Sequence, residues 1–154
     1  MNDQTAMNRR SPAAGYSVGP WEPDGTATLE AWGDNARTAF EAGLGALLQL
    51  VPEPPIEVDP AHAAPIRGEG SELGTLFADL VEDLLEQAGF FGEGVRDVGI
   101  DGVLRRDGGG FVAWGYATGT LGSGGAVDMP RLENITAKVD DSGGVTLRAT
   151  LRRP

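Results

Sequence analysis

Two apolar stripes at helical spacing, separated by a proline-rich segment, constrain the fold of this chain most. Within residues 36–48 and 73–85 the apolar side chains recur three and four positions apart, which is typical of helices that bury one face. Pro52, Pro54 and Pro55 end the first helix, because proline cannot continue the helical hydrogen-bond ladder. The stripe residues are Ala36, Ala39, Phe40, Gly43, Leu44, Leu47 and Leu48 in the first helix, and Leu73, Leu76, Phe77, Leu80, Leu84 and Leu85 in the second.

Strands are predicted on either side of the first helix. Residues 26–32 alternate between small or apolar side chains and polar or aromatic ones, as in a strand with one buried side. Gly33 interrupts this alternation, and Asp34 is placed to cap the helix that follows. A second, short strand is predicted around Ile66 and Arg67, after the proline-rich connection.

The second half of the chain is typical of strands joined by tight turns. Val98, Ile100 and Leu104 follow an incomplete alternation. Residues 107–110 and 140–144 are rich in aspartate and glycine, which favours hairpin turns. The further strands are expected over residues 111–116, 132–139 and 145–151, with a glycine-rich loop over residues 119–125.

The predicted order is strand, helix, strand, helix and then four strands, which indicates an α+β fold. Strands that follow the helices in a block favour a largely antiparallel sheet, and we expect both helices to pack on one face of a single sheet. Residues 1–14 are polar and lack large apolar side chains, so a disordered tail is predicted there. Residues 15–154 are expected to form one domain.

Composition excludes several classes of function. The net charge of −11 argues against direct binding of nucleic acid, which relies on Lys and Arg to neutralise phosphates. No segment approaches the roughly 20 apolar residues of a membrane-spanning helix. The chain contains no cysteine and residues 1–10 lack the apolar core of a secretory signal, so we expect a cytoplasmic protein with no membrane contact.

Groups suited to catalysis are scarce. His62, the only histidine, lies in the connection between the helices, so a triad or a multi-histidine metal site cannot be assembled within the chain. The glycine-rich segments do not open a helix, and the single lysine, Lys138, lies in another strand. These features argue against a phosphate-binding loop, which needs backbone N–H groups at a helix start and a nearby lysine.

Acidic side chains are the remaining chemical resource. Asp79, Glu82, Asp83 and Glu86 recur at helical spacing on the side of the second helix opposite its apolar stripe. A stripe of this kind is either a solvated surface or a docking surface for a basic protein.

Several segments resemble archease, the protein that activates the GTP-dependent RNA-splicing ligase. The matching segments are Leu29–Asp34, followed by Ala39–Ala42, and then Gly68–Leu73 with the leucine-rich helix after it. Thr136 falls where the family has the threonine of a Lys-Ala-Val-Thr-Tyr-His motif. The resemblance covers about residues 16–152 and depends on layout and hydrophobic pattern more than on single motifs.

The resemblance implies a function and a metal site. Archease is a non-enzymatic partner of the ligase that promotes guanylylation of the ligase's active-site histidine, and it binds a divalent cation, calcium or magnesium, through acidic residues. In this chain the resemblance implies Glu53 as one such acid, and Asp24 as another if a shift of the loop brings it to the family's aspartate position. The chain departs from the family at several positions: Thr26 stands at the aspartate of the family's His-Thr-Ala-Asp motif, Glu133 stands at a lysine, Lys138 at a histidine, and Arg152 at an aspartate near the C-terminus.

Three functions therefore stand as hypotheses. The first is an archease-like accessory protein that activates the RNA ligase in RNA splicing or repair, without catalysing a reaction itself. The second is a degenerate relative that keeps the fold, lacks the metal site and binds a different protein. The third is a small enzyme that uses paired carboxylates, which requires environments that separate their pKa values.

Overall fold

A computed structural model describes residues 14–50, 62–91, 95–119 and 130–153. These ranges contain, in chain order, β1 (Gly15–Val18), β2 (Thr26–Gly33), α1 (Ala36–Gln49), β3 (His62–Gly70), α2 (Leu73–Phe91), β4 (Val95–Arg105), β5 (Phe111–Gly119), β6 (Arg131–Val139) and β7 (Val145–Arg152). The predicted α+β class and order of elements are confirmed, with the short strand β1 as an addition. Residues 1–13 of the predicted tail, Glu53 and residues 120–125 of the glycine-rich loop lie outside the described ranges.

Asn35, and not Asp34, caps helix α1. The Asn35 side chain accepts a hydrogen bond from the Thr38 backbone N–H at 2.9 Å, and the Asn35 N–H donates to the Thr38 hydroxyl at 3.3 Å. These reciprocal bonds satisfy N–H groups that have no partner within the helix. The prediction was wrong by one residue, because the first helical residue is Ala36 and the cap lies immediately before it.

The strands form two antiparallel sheets, so the prediction of a single sheet was wrong. The four-stranded sheet has the order β1-β2-β7-β6, and the three-stranded sheet has the order β3-β5-β4. The last strand of the chain returns to β2, whereas β3 pairs with β5. These pairings join segments that are distant in sequence, and local patterns do not encode them.

The two helices join the two sheets. Helix α1 lies against β2 of the four-stranded sheet and β4 of the three-stranded sheet, whereas α2 lies against β3 and β6. The predicted apolar stripes are buried in the core between them, and the rings of Phe40 and Phe77 approach to 5.5 Å between centroids. The stripe residues predicted to be buried, and confirmed, are Phe40, Leu44, Leu47, Leu76, Phe77 and Leu80.

A β-bulge in β4 overturns the predicted orientation of Leu104. The pairing of β4 with β5 shifts register between Ile100 and Gly102, so one extra residue is inserted there. Successive side chains of a strand point to opposite faces, and one extra residue therefore exchanges the faces for the rest of the strand. Val103 packs against the core, and Leu104 lies on the outer face with 57% of its surface exposed.

Both predicted hairpin turns are confirmed. The Arg106 N–H donates to the Gly110 carbonyl, and the Asp140 N–H donates to the Gly144 carbonyl, both at 2.9 Å. Gly109, Gly110 and Gly143 adopt positive φ angles that favour glycine. No helix in the described ranges is long and apolar enough to span a membrane.

Two glycines of α1 provide a test of the packing between the helices. A Cβ atom at Gly43 would lie 2.7 Å from Cζ of Phe77, whereas a Cβ at Gly45 would meet no atom within 4 Å. We expect Gly45→Ala to stabilise the protein by about 0.5–1 kcal/mol, since alanine has the higher helix propensity. Gly43→Ala gains the same propensity but crowds the core, and we expect a net destabilisation of about 1–2 kcal/mol.

Chemical denaturation of the two variants measures both effects. Gly45→Ala is the matched control, because it lies in the same helix two positions away and its added Cβ meets no atom within 4 Å. Equal stabilisation by both substitutions would show that α1 and Phe77 do not pack as described.

Candidate functional site

Two members of the predicted acidic stripe bind the backbone of strand β3. Asp79 Oδ2 accepts a hydrogen bond from the Glu69 N–H at 2.8 Å, and Asp83 Oδ2 accepts from the Arg67 N–H at 2.7 Å. Strand β3 forms an edge of the three-stranded sheet, so these N–H groups point away from its neighbour β5. The two carboxylates therefore accept hydrogen bonds that the carbonyl groups of another neighbouring strand would otherwise accept.

The spacing of the two elements explains this fit. Residues four apart in a helix are separated by about 6.0 Å along its axis, and residues two apart in a strand by about 6.6–6.8 Å. Asp79 and Asp83 thus match Arg67 and Glu69 when α2 lies along β3. Pro65 occupies the preceding outward position of the edge, and proline has no N–H to satisfy.

The other half of the stripe remains on the surface. Glu82 and Glu86 are exposed, and the structure places them one position before and three positions after Asp83 on α2. The four acids therefore do not form one surface of equivalent charges. Asp79 and Asp83 bind the edge of a sheet, although Asp79 also remains exposed, whereas Glu82 and Glu86 are exposed elsewhere on the helix.

The opposite edge of the same sheet is closed by α1. Glu41 Oε2 accepts from the Ile100 N–H at 2.8 Å, and Arg37 Nη1 donates to the Ile100 carbonyl at 3.4 Å. Arg37 and Glu41 also form an ion pair at 3.2 Å. This pair, which the sequence presents as an ordinary surface pair four residues apart, occupies both backbone groups of one residue of β4.

Asp24, a residue assigned to the metal site by the resemblance, caps a turn before β2. Its Oδ1 accepts from the Thr26 hydroxyl at 2.6 Å and from the Thr26 N–H at 3.1 Å. These hydrogen bonds, with a smaller contribution from the charge of Arg152, lower the pKa of Asp24. The carboxylate is ionised and one of its oxygens is already engaged with the protein.

Glu133 and Arg152, two residues that differ from those implied by the resemblance, contact one another. Arg152 Nε and Nη2 donate to the two carboxylate oxygens of Glu133 at 3.0 Å and 3.2 Å. The hydrogen bond from Arg152 lowers the pKa of Glu133, and the hydrogen bond to Glu133 raises the pKa of Arg152. At the positions where the resemblance implies a lysine and an aspartate, this chain thus carries a glutamate and an arginine that form an ion pair.

The described residues around Asp24 do not fit a divalent cation. Calcium and magnesium need several converging oxygens, and no group of three or more His, Cys, Asp or Glu side chains converges within the described ranges. Arg152 lies close enough to Asp24 to affect its pKa, and its positive charge opposes a cation there. Glu53, the other assigned ligand, lies outside these ranges.

Thr136 lies on the exposed side of β6, opposite Arg148 of β7. The pairing of β6 with β7 shifts register between Glu133 and Thr136, and Asn134 has a positive φ of 53°. The motif-matched segment therefore contains an irregularity of the strand. Helix α2 approaches it closely, since a Cβ at Gly74 would lie 3.1 Å from the Ile135 carbonyl oxygen.

Sequence reasoning missed a cleft between the start of α2 and the β4–β5 turn. Its volume is about 330 Å³. Glu69 pairs there with Arg106 at 2.8 Å and with Arg67, and these interactions lower the pKa of Glu69. The single carboxylate of Glu69 is shared between two guanidinium groups, so this cluster of three side chains keeps a net positive charge. Its lining residues are Glu69, Gly70, Ser71, Arg106, Gly109, Gly110 and Phe111.

Comparison with known proteins identifies a similar fold. No protein-family model matches the sequence, and no curated protein matches it. The solution structure of protein 1598 from Methanobacterium thermoautotrophicum is similar to this chain, with a TM-score of 0.60 and 17% sequence identity. The similarity covers 90% of this chain and 98% of that protein. It defines a shared small α+β fold with two helices and antiparallel sheets.

The edge contacts of α2 predict which acids affect β3. Asp79→Ala and Asp83→Ala each remove an acceptor, and we expect the Glu69 or Arg67 amide, respectively, to exchange with solvent roughly fivefold faster, which corresponds to about 1 kcal/mol per hydrogen bond. Glu82→Ala and Glu86→Ala are matched controls that remove the same charge from the same helix. Hydrogen exchange measured by NMR separates the pairs, and equal effects of all four substitutions would contradict the described contacts.

The arrangement around Asp24 also predicts the response to calcium. A ligand that binds only the folded state raises the unfolding temperature, and Arg152 and Thr26 leave Asp24 poorly suited to a cation. We expect millimolar calcium to leave the midpoint of thermal unfolding nearly unchanged. A rise of many degrees that disappears in Glu53→Gln would instead show that a cation site exists, and measurements in magnesium provide the parallel test.

Proposed function

We propose that this chain is an archease-like accessory protein that binds the RNA-splicing ligase and promotes guanylylation of that enzyme. One observation carries the proposal. The order of elements implied by the resemblance to archease agrees with the described fold over nearly the whole resembling region. The sequence segments that carry the resemblance form the β2–α1 and β3–α2 units, where each helix follows directly from a strand.

A non-catalytic role agrees with the way the chain uses its acidic side chains. Asp79, Asp83 and Glu41 bind strand backbone, and Asp24 binds Thr26. Glu133 and Glu69 pair with arginines. These carboxylates support the fold, and the described ranges leave no converging set of them for proton transfer or metal chemistry. The protein then acts on the ligase by contact.

The second candidate is a relative with the same fold, no metal site and a different protein partner. The reversed Glu133–Arg152 pair favours it. If the family's cation takes part in activating the ligase, an arginine at the aspartate position removes that contribution. The two candidates predict different partners but the same mode of action, binding without catalysis.

Ligase guanylylation distinguishes the candidates. We expect addition of this protein to the RNA-splicing ligase of the same organism to raise the initial rate at which GTP guanylylates the ligase histidine. The measurement is transfer of label from α-labelled GTP to the ligase, with heat-unfolded protein as the control. An unchanged rate, together with no detectable binding between the two purified proteins, would refute the first candidate.

A further inference from the structure

The outer face of the three-stranded sheet carries a group of exposed apolar side chains. Leu104 of β4 and Trp114 and Tyr116 of β5 expose 57%, 38% and 42% of their surface, respectively. Val112 of β5 pairs with Leu104 and lies two residues before Trp114 in the same strand. We call Leu104, Val112, Trp114 and Tyr116 the aromatic face. The helices pack against the opposite face of this sheet, where Ala113 and Ala117 are buried.

Glycines of β4 fix the positions of both rings. Gly102 pairs with Trp114, and a Cβ there would lie 2.6 Å from Cζ2 of the indole. Gly99 pairs with Tyr116, and a Cβ there would lie 3.0 Å from Cζ of the phenol ring. Each ring therefore lies over the backbone of β4, in space that the side chain of any residue other than glycine would fill. Rings held in this way lose little conformational entropy when a partner covers them.

The charges around the aromatic face are unevenly distributed. On the β4 side lie the exposed residues Asp97, opposite Thr118, and Asp101, at the bulge before Gly102. On the β3 side, Arg67 pairs with Glu69. An acidic margin beside two aromatic rings attracts a cation by two routes, through the carboxylates and through the electron-rich ring faces.

We propose that the aromatic face binds a segment of a partner protein that carries apolar side chains and a lysine or arginine directed toward the β4 margin. Contiguous exposed apolar surface on a soluble protein commonly marks a binding site. Charge selects among the possible occupants. A second copy of this chain, a nucleic acid and an anionic membrane would each bring negative charge to a molecule of net charge −11, whereas a basic peptide is complementary to it.

This inference rests on the proposed function only in that the chain acts by binding a protein. It assigns the contact to the sheet and not to the acidic side of α2. The surfaces are distinct, because the exposed acids of α2, Glu82 and Glu86, lie on a helix, whereas the aromatic face is formed by β4 and β5.

Two synthetic decapeptides test the proposal, one of alternating leucine and lysine and one of alternating leucine and glutamate. We expect the Leu/Lys peptide to shift the NMR signal of the Trp114 indole N–H, and the Leu/Glu peptide to leave it unchanged. Asp97→Asn with Asp101→Asn should weaken binding roughly three- to tenfold, as expected for two exposed ion pairs. Glu82→Gln with Glu86→Gln removes the same charge from α2 and should leave the affinity unchanged.

Trp114→Ala should weaken binding of the Leu/Lys peptide about tenfold or more, since buried aromatic anchors dominate interfaces. Tyr16→Ala, which removes an exposed ring from β1, is its control, and thermal unfolding verifies that both variants fold. If the Trp114→Ala variant does not fold, peptide binding by the Asp97→Asn, Asp101→Asn double variant tests the proposal. Equal binding of both peptides, or equal losses in the β4 and α2 charge variants, would overturn the proposal.

Three further outcomes are informative. A Trp114 signal that shifts with protein concentration in the absence of peptide would show a self-association surface and overturn the proposal. If the Leu/Lys peptide binds as expected while the RNA ligase does not bind, the inference stands and the proposed function fails. If the ligase binds equally well to the Trp114→Ala variant, the proposed function stands and the inference fails.

Discussion

Closure of the three-stranded sheet at both edges is the constraint on which the rest of the structure depends. A short sheet with open edges presents unpaired N–H and C=O groups that invite association with other chains. Here Asp79 and Asp83 of α2 bind two N–H groups of β3, and Arg37 and Glu41 of α1 bind the C=O and N–H groups of Ile100 in β4. Because each helix also lies against the four-stranded sheet, these contacts fix how the two sheets are arranged around the common core.

The same contacts show what the sequence can and cannot predict. The apolar stripes of the helices and the two aspartate–glycine turns follow from local rules, since helix periodicity and turn conformation involve neighbouring residues. The division into two sheets does not follow, because β2 pairs with β7 and β3 with β5 across long separations. Asp79 and Asp83 occupy positions that also suit a solvated surface. Only the backbone beside them distinguishes a structural carboxylate from an available one.

The role of the acidic side chains differs from the one that the sequence predicts. The sequence predicts metal ligands and docking residues, whereas in the described ranges most of these acids maintain the fold. Glu133 and Arg152 illustrate the point, since these two residues, which differ from those implied by the resemblance, together form a bidentate ion pair. The sequence does not predict the exposed apolar surface of β5, because Trp114 and Tyr116 lie in a segment whose alternation indicates only a strand. The helices pack against one face of this sheet, and Trp114 and Tyr116 lie on the opposite, outer face. This arrangement becomes apparent only from the structure.

The bulge in β4 provides a way in which the residues exposed on this outer surface can differ between related proteins. The extra residue between Ile100 and Gly102 determines which side of the strand each later residue occupies. A change of pairing that removed the bulge while keeping the length of β4 would turn Leu104 inward and Val103 outward together, while β3 and β5 would keep their own alternation. Related proteins could therefore share the core and both helices and yet differ in recognition through the presence or position of a bulge, with few substitutions.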